Sequence, residues 1–235
     1  MKVPIARTQL TEKEFNIIRK PLESGWVVQG PYTKEFEEKW SKFTGAKHSI
    51  AVTSCTTALH LSLATLGLKP DDEVIVPAFT WIATANVVEH LKAKVIFCDI
   101  DLKTFNIDVS QIEEKITPKT KAIIPVHLFG LSADMDPILK IAQKHNLWVV
   151  EDAACGFGAK YKGKYIGALG DTGCFSFHPR KAITTGEGGA IVTESHELAE
   201  KIRSLRNHGI SSTNGKIDFE YAGLNYRITD FQAIL

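Results

Sequence analysis

The sequence predicts an α/β domain: a mixed, mostly parallel sheet flanked by helices. From Ser49 to Thr193, short apolar, β-branched runs alternate with longer helical patterns. The helical patterns repeat their apolar residues at three- and four-residue spacing, so each offers one face to a sheet. The resulting order of strand, crossover helix and strand is the one that joins parallel strands.

In chain order, the first element is a helix announced by Thr11 with Glu14 three residues later, a capping box in which each side chain satisfies a free backbone donor. Buried strands are expected at residues 50–53, 74–77, 95–99, 122–127 and 148–151. Helices are expected at TTALHLSLATLGL (56–68), WIATANVVEHLK (81–92) and MDPILKIAQKHN (135–146), with Gly45, Gly67 and Gly130 marking element ends. Beyond Glu151, the glycines at 156, 158, 163, 167, 170 and 173 favour short strands and turns over further helix. In SFHPRKAITTGEGGAIVT, Gly186, Gly188 and Gly189 precede the strand-like AIVT and not a helix, so they read as a tight turn entering a strand. The last stretch, NYRITDFQAIL, reads as the start of an amphipathic helix with Ile228, Phe231, Ile234 and Leu235 on one face. It stops without a C-terminal signal, which predicts that a segment is missing after it. No internal repeat or Pro-rich linker divides residues 1–235.

Composition narrows the function. Hydrophobic residues make up 44% and charged residues 23%, the balance of an ordinary folded domain. With a net charge of +1 and no basic patch, no nucleic-acid partner is expected. Cys55, Cys98, Cys155 and Cys174 form no Cys-x-x-Cys pair, which argues against a metal site and a disulfide framework and fits a reducing compartment. The N-terminus has no apolar secretory core, and no apolar run approaches the ~20 residues of a membrane span. A cytoplasmic protein without a membrane partner is expected.

Four segments could bear chemistry. In SCTTALH (54–60) a strand runs into a helix start whose free N–H groups suit a phosphate, with Ser54, Thr56 and Thr57 as added donors. Simple N-capping is the commoner use of such residues. In EDAACGFGA, Asp152 follows an apolar run and so stands at the carboxyl end of a strand, where open α/β sheets gather their ligands. A carboxylate there can hold a ring nitrogen protonated, as pyridoxal phosphate (PLP) requires; a capping or surface carboxylate is the alternative. In SFHPRKAITTGEGG, Ser176, His178 and Lys181 share one irregular segment between strand-like runs, a setting in which a partly desolvated lysine forms imines. Arg180 beside it has no expected role. Trp81 in VPAFTWIATANVV could stack on a flat ring at the same sheet end, although large aromatics are more often core. No G-x-G-x-x-G follows a strand and opens a helix, which excludes a nicotinamide-binding dehydrogenase.

Together with GPYTKEFEEKW, FCDIDLKTFNID, KAIIPVHLFG, LRNHG and LNYRITDFQA, these segments resemble the PLP-dependent sugar aminotransferases of the DegT/DnrJ/StrS family, of the aspartate-aminotransferase fold type I. The likeness runs from about Gly30 to the last residue. It implies that residues 1–235 form the PLP-binding large domain and that the small C-terminal domain of the family is absent. It implies that Lys181 carries PLP as a Schiff base and shuttles the proton, and that Asp152 pairs with the pyridine nitrogen. Cys55 and Thr56 at the helix start, with Ser54 and Ser176, would hold the phosphate, and Trp81 would cover the ring. Cys155 stands where members usually place Gln or His near the ring oxygen, and a thiol is a weaker hydrogen-bond partner. Asn225 or Arg227 would reach the site of a neighbouring subunit, so active sites would be shared in a homodimer. The implied reaction passes an amino group, from glutamate, to a nucleotide-linked keto sugar in polysaccharide precursor biosynthesis. Family dehydratases carry His in place of the lysine. Cofactor binding or subunit pairing without turnover is the other reading of a chain this short.

Overall fold

A computed structural model describes residues 3–4, 6–213 and 216–235. Two short helices come first, α1 (Glu12–Ile17) and α2 (Arg19–Ser24). The expected capping box is formed, with the Glu14 carboxylate accepting from the Thr11 backbone N–H at 2.7 Å. Helix α3 (Pro31–Thr44) begins on a proline preset for the first helical turn and ends on Gly45 at φ 80°, the left-handed cap that glycine adopts without strain.

The main alternation follows: β1 (His48–Val52), α4 (Cys55–Thr65), β2 (Glu73–Pro77), α5 (Ala83–His90), β3 (Lys94–Cys98), β4 (Thr120–Ile123), α6 (Met135–His145) and β5 (Trp148–Asp152). A small hairpin, β6 (Lys160–Tyr161) with β7 (Lys164–Tyr165), occupies the glycine-rich stretch. Then come β8 (Thr172–Ser176), β9 (Gly189–Thr193), α7 (His196–Arg206), the hairpin β10 (Ile210–Thr213) and β11 (Lys216–Phe219), and α8 (Asp230–Ile234).

The seven-stranded sheet has the order β1-β9-β8-β5-β4-β2-β3, and β9 alone is reversed within it. Strand periodicity of two divides the core. Val74, Val76, Val150 and Ile191 face α4, α5 and α7, whereas Ile75, Ile123 and Val149 pack against Met135, Ile138 and Ala142 of α6. A third cluster sets Trp40 of α3 against Phe175, Phe177 and Val192, with edge-to-face ring contacts at 5.2 Å and 5.0 Å to the two phenylalanines.

Two element expectations need correction. β4 ends at Ile123, short of the expected 127, because Pro125 has no N–H to continue the ladder. The chain nevertheless follows β5 onward, with Asp152 N–H donating to Pro125 O at 2.9 Å and His127 N–H to Asp152 O at 3.0 Å. The helix expected from Trp81 starts only at Ala83, which leaves Trp81 in the loop beyond β2.

The C-terminal helix is also organised differently from its apolar periodicity. Thr229 caps it, Ile228 is buried ahead of it, and its buried residues are Asp230 and Ala233, while Leu235 is exposed. Asp230 is drawn inward by the start of α3, which lacks a side-chain cap of its own. Its carboxylate accepts from Gly30 N–H at 2.8 Å, Tyr32 N–H at 3.2 Å, Thr33 N–H at 2.9 Å and the Thr33 hydroxyl at 2.7 Å. One anion thus satisfies the orphan donors of a helix 200 residues away in sequence. Asp230→Ala is expected to cost about 2–3 kcal/mol, because the Thr33 donors are left buried while those of Gly30 and Tyr32 can reach water. An unchanged urea midpoint would refute this.

Because the six parallel strands share a direction, the ends of β1, β2, β5 and β8 and the start of β9 lie along one edge of the sheet. Among the described residues no helix is long and apolar enough to cross a membrane.

Candidate active site

Thr53, the residue after β1, leads into α4 with Ser54 as its N-cap. The Ser54 hydroxyl accepts from Thr57 N–H at 3.1 Å, and the Thr57 hydroxyl accepts from Ser54 N–H at 3.0 Å. Capping, the commoner use of such residues, therefore claims Ser54 and Thr57. Among the described residues the N–H groups of Cys55 and Thr56 have no protein acceptor, and Thr56 is exposed. This leaves two donors and the positive end of the α4 dipole directed at a common cavity. β9 approaches this turn so closely that a Cβ on Gly189 would lie 2.5 Å from the Ser54 carbonyl carbon, which is why that position is glycine.

Asp152 ends β5 and is buried. Its Oδ2 accepts from the Thr84 hydroxyl at 2.9 Å and its Oδ1 from Ala154 N–H at 3.1 Å. Burial raises its pKa above the usual carboxylate range, and the two hydrogen bonds oppose that shift. Such a carboxylate, held in place without a cationic partner of its own, is suited to a protonated ring nitrogen.

Beneath it lies a second buried carboxylate, Glu151. It accepts from the N–H groups of Gly167 (2.7 Å), Leu169 (2.7 Å) and Gly170 (2.6 Å), and its Oε2 lies 2.9 Å from His127 Nε2. Ala133 N–H donates to His127 Nδ1 at 3.2 Å, so Nε2 carries the hydrogen directed at Glu151. The network ties the 166–170 turn and residues 127–133 to the end of β5.

Lys181 lies in the twelve-residue connection between β8 and β9 (177–188). The connection is pinned at both ends: Phe177 N–H donates to Gly188 O at 2.9 Å, and the Thr184 hydroxyl donates to Phe177 O at 2.8 Å. Within it Lys181 N–H donates to His178 O at 2.8 Å, and Arg180 N–H donates to His178 Nδ1 at 3.2 Å. The Lys181 Nζ lies 3.1 Å from Cys155 Sγ.

One cavity of about 420 Å³, within the usual range for small-molecule sites, brings these segments together. Ser54, Cys55 and Thr56 line it from α4, Trp81 from the β2 loop, Asp152 from β5, and Ser176 and Lys181 from β8 and its loop. Trp81 is 74% exposed, so its ring face is available for stacking. Cys155 meets the site only through Lys181, and it is the one exposed cysteine; burial raises the thiol pKa of Cys55, Cys98 and Cys174. Asn225 and Arg227 do not line this cavity. Asn225 pairs with Asn207 in an isolated bridge, and the Arg227 guanidinium bonds the Asn207 side chain. Thr84, Arg180 and Glu187 also line the cavity, and none was singled out by the sequence.

The donor set fits PLP: free N–H groups for a phosphate, a buried carboxylate for a ring nitrogen, a primary amine for an aldehyde carbon and an exposed indole face. No cluster of metal-binding side chains occurs among the described residues.

Comparison with known proteins follows the same pattern. The model of the DegT/DnrJ/EryC1/StrS aminotransferase family matches residues 8–235. A GDP-perosamine synthase of Caulobacter vibrioides is 46% identical over 235 residues, covering 100% of this chain and 63% of that protein. The spore coat polysaccharide biosynthesis protein SpsC of Bacillus subtilis is 43% identical, covering 99% of this chain and 62% of that protein. Among solved structures, the PLP form of Spr1654 from Streptococcus pneumoniae superposes with a TM-score of 0.94 at 32% identity, covering 100% of this chain and 65% of that one. The chain thus spans less than two thirds of each of these proteins.

Proposed function

The chain belongs to the DegT/DnrJ/EryC1/StrS aminotransferase family, and on that premise we propose that residues 1–235 are the PLP-binding large domain of a sugar aminotransferase. The observation that carries this reading is the meeting of the Lys181 amine, the Asp152 carboxylate and the free N–H groups of α4 in one cavity. Bound there, PLP supplies an electron sink for bonds at the carbon bearing the amino group. Cys55 and Thr56, with Ser54 and Ser176, would hold the phosphate; Asp152 would pair with the ring nitrogen, Trp81 would stack on the ring, and Cys155, next to Lys181, would be the exposed thiol nearest the cofactor. Lys181 would hold the cofactor covalently and, released when a substrate amine takes its place on the cofactor carbon, would supply the amine that moves the proton at the substrate carbon.

The amino acceptor is a nucleotide-linked keto sugar and the donor is glutamate; the sugar part of this reading is supported by relatives that are a GDP-perosamine synthase and a spore coat polysaccharide biosynthesis protein. Asn225 and Arg227, which do not line the cavity of their own chain, serve the cavity of a second copy in a homodimer. The free thiols fit the cytoplasm.

The test is direct. The purified chain with PLP should show visible absorbance that Lys181→Ala abolishes, and borohydride reduction should fix the cofactor mass on the peptide containing Lys181. Absorbance that survives Lys181→Ala would overturn the assignment. Glutamate should bleach the visible band; a band it cannot convert assigns cofactor binding without turnover.

A further inference from the structure

We propose that Arg180 recognises an anionic group of the second reactant at the cavity mouth: the carboxylate of an amino-acid donor or the diphosphate of a nucleotide-linked sugar. The inference rests on the functional reading above and assigns a specificity role within that same site. Arg180 lines the cavity and its side chain is exposed. None of the ion pairs among the described residues includes it, although Glu187 lines the same cavity. Its backbone, in contrast, is fixed by the bond to His178 Nδ1 in the turn that also positions Lys181. A free guanidinium therefore stands on a held backbone, one residue from the cofactor lysine.

Lys181 and Asp152 have partners in the proposed function, as do the α4 donors, and Glu187, which makes no ion pair among the described residues, is of the opposite sign. Lys181 is taken by the cofactor carbon, Asp152 by the ring nitrogen, and the α4 donors by the phosphate. Arg180 is the cation left over, and its planar fork of donors matches the paired oxygens of a carboxylate or a diphosphate. Glutamate and a nucleotide-linked sugar each bring such a group.

Calorimetric titration of the cofactor-free and PLP-loaded chain with glutarate, UDP and GDP tests this in wild type, Arg180→Ala and Arg180→Lys. Arg180→Ala should retain PLP absorbance and PLP affinity while binding one class of probe roughly ten- to a hundredfold more weakly. Arg180→Lys should recover part of the loss, keeping the charge without the fork. Loss confined to glutarate identifies the donor carboxylate; loss confined to UDP and GDP identifies the diphosphate. Equal binding of every probe by wild type and Arg180→Ala overturns the proposal, as does a wild-type chain that binds none of them. A matching fall in PLP affinity also overturns it, by making Arg180 part of the cofactor site. A wild-type chain without PLP absorbance refutes the cofactor reading instead, and the titrations of the cofactor-free chain still judge Arg180.

Discussion

Glu151→Ala is expected to destabilise the fold by roughly 3–5 kcal/mol, the usual loss when one member of a buried polar pair is removed. Glu151 and His127 are both fully buried, and the carboxylate is the common acceptor for Gly167, Leu169 and Gly170 N–H and for the imidazole. Alanine leaves these donors facing one another in a space without water, and each unsatisfied group costs about 1–3 kcal/mol. Against a total stability of roughly 5–15 kcal/mol, such a loss brings the chain close to unfolding. Glutamine does not rescue the site: its amide nitrogen must point at one of the backbone donors that the second carboxylate oxygen now accepts. His127→Ala removes one donor to Glu151 and the acceptor of Ala133 N–H but keeps the three backbone bonds to Glu151, so it should cost less. Urea midpoints of the three variants check this ranking, and a wild-type midpoint for Glu151→Ala would refute it. Because Asp152 follows Glu151 directly, PLP absorbance should fall in parallel with stability.

The inner strands were legible where they are buried along their length and read as continuous apolar runs, whereas the edge strand β3 exposes Lys94 and Phe97. Residues 74–77 and 148–151 foretell β2 and β5 to within one residue, and AIVT foretells β9. Legibility failed where partners lie far off in the sequence. Nothing around Asp230 indicates that it caps α3, because the orphan N–H groups of Gly30, Tyr32 and Thr33 are main-chain features with no letter of their own. The same holds for Glu151, whose backbone donors lie 16 to 19 residues downstream. The proposed site residues Lys181 and Asp152 and the helix start at Ser54, which meet in one cavity, could be singled out because each follows or interrupts an apolar run at the same sheet end. Arg180 could not: only the turn through His178 shows that it shares the cavity wall with Lys181.

Asp152→Asn should separate stability from function in opposite directions. Burial raises the Asp152 pKa in the folded chain, so the folded state holds this proton more tightly than the unfolded state. The sign follows: ionised Asp152 is a cost to the cofactor-free fold, absent below the unfolded carboxylate value of about 3.9 and growing as pH rises through the window up to the raised folded value. Asparagine removes that cost. Its oxygen can keep the bond from Ala154 N–H, and its amide can donate to the Thr84 hydroxyl, which has a second partner in Thr80 Oγ1 at 3.0 Å. The cofactor-free variant should therefore melt at a higher Tm than wild type near neutral pH, with the difference vanishing toward acid pH. Function should move the other way, since an amide offers no negative charge to stabilise a protonated ring nitrogen. PLP absorbance should persist through Lys181 and the α4 donors, while the glutamate-driven bleaching slows at least about a hundredfold, as for loss of one aligned electrostatic group. Thermal melts across pH and stopped-flow bleaching measure the two halves independently. Bleaching at the wild-type rate would remove Asp152 from the proposed site, and a lower neutral-pH Tm would show that its carboxylate is there to hold the fold together.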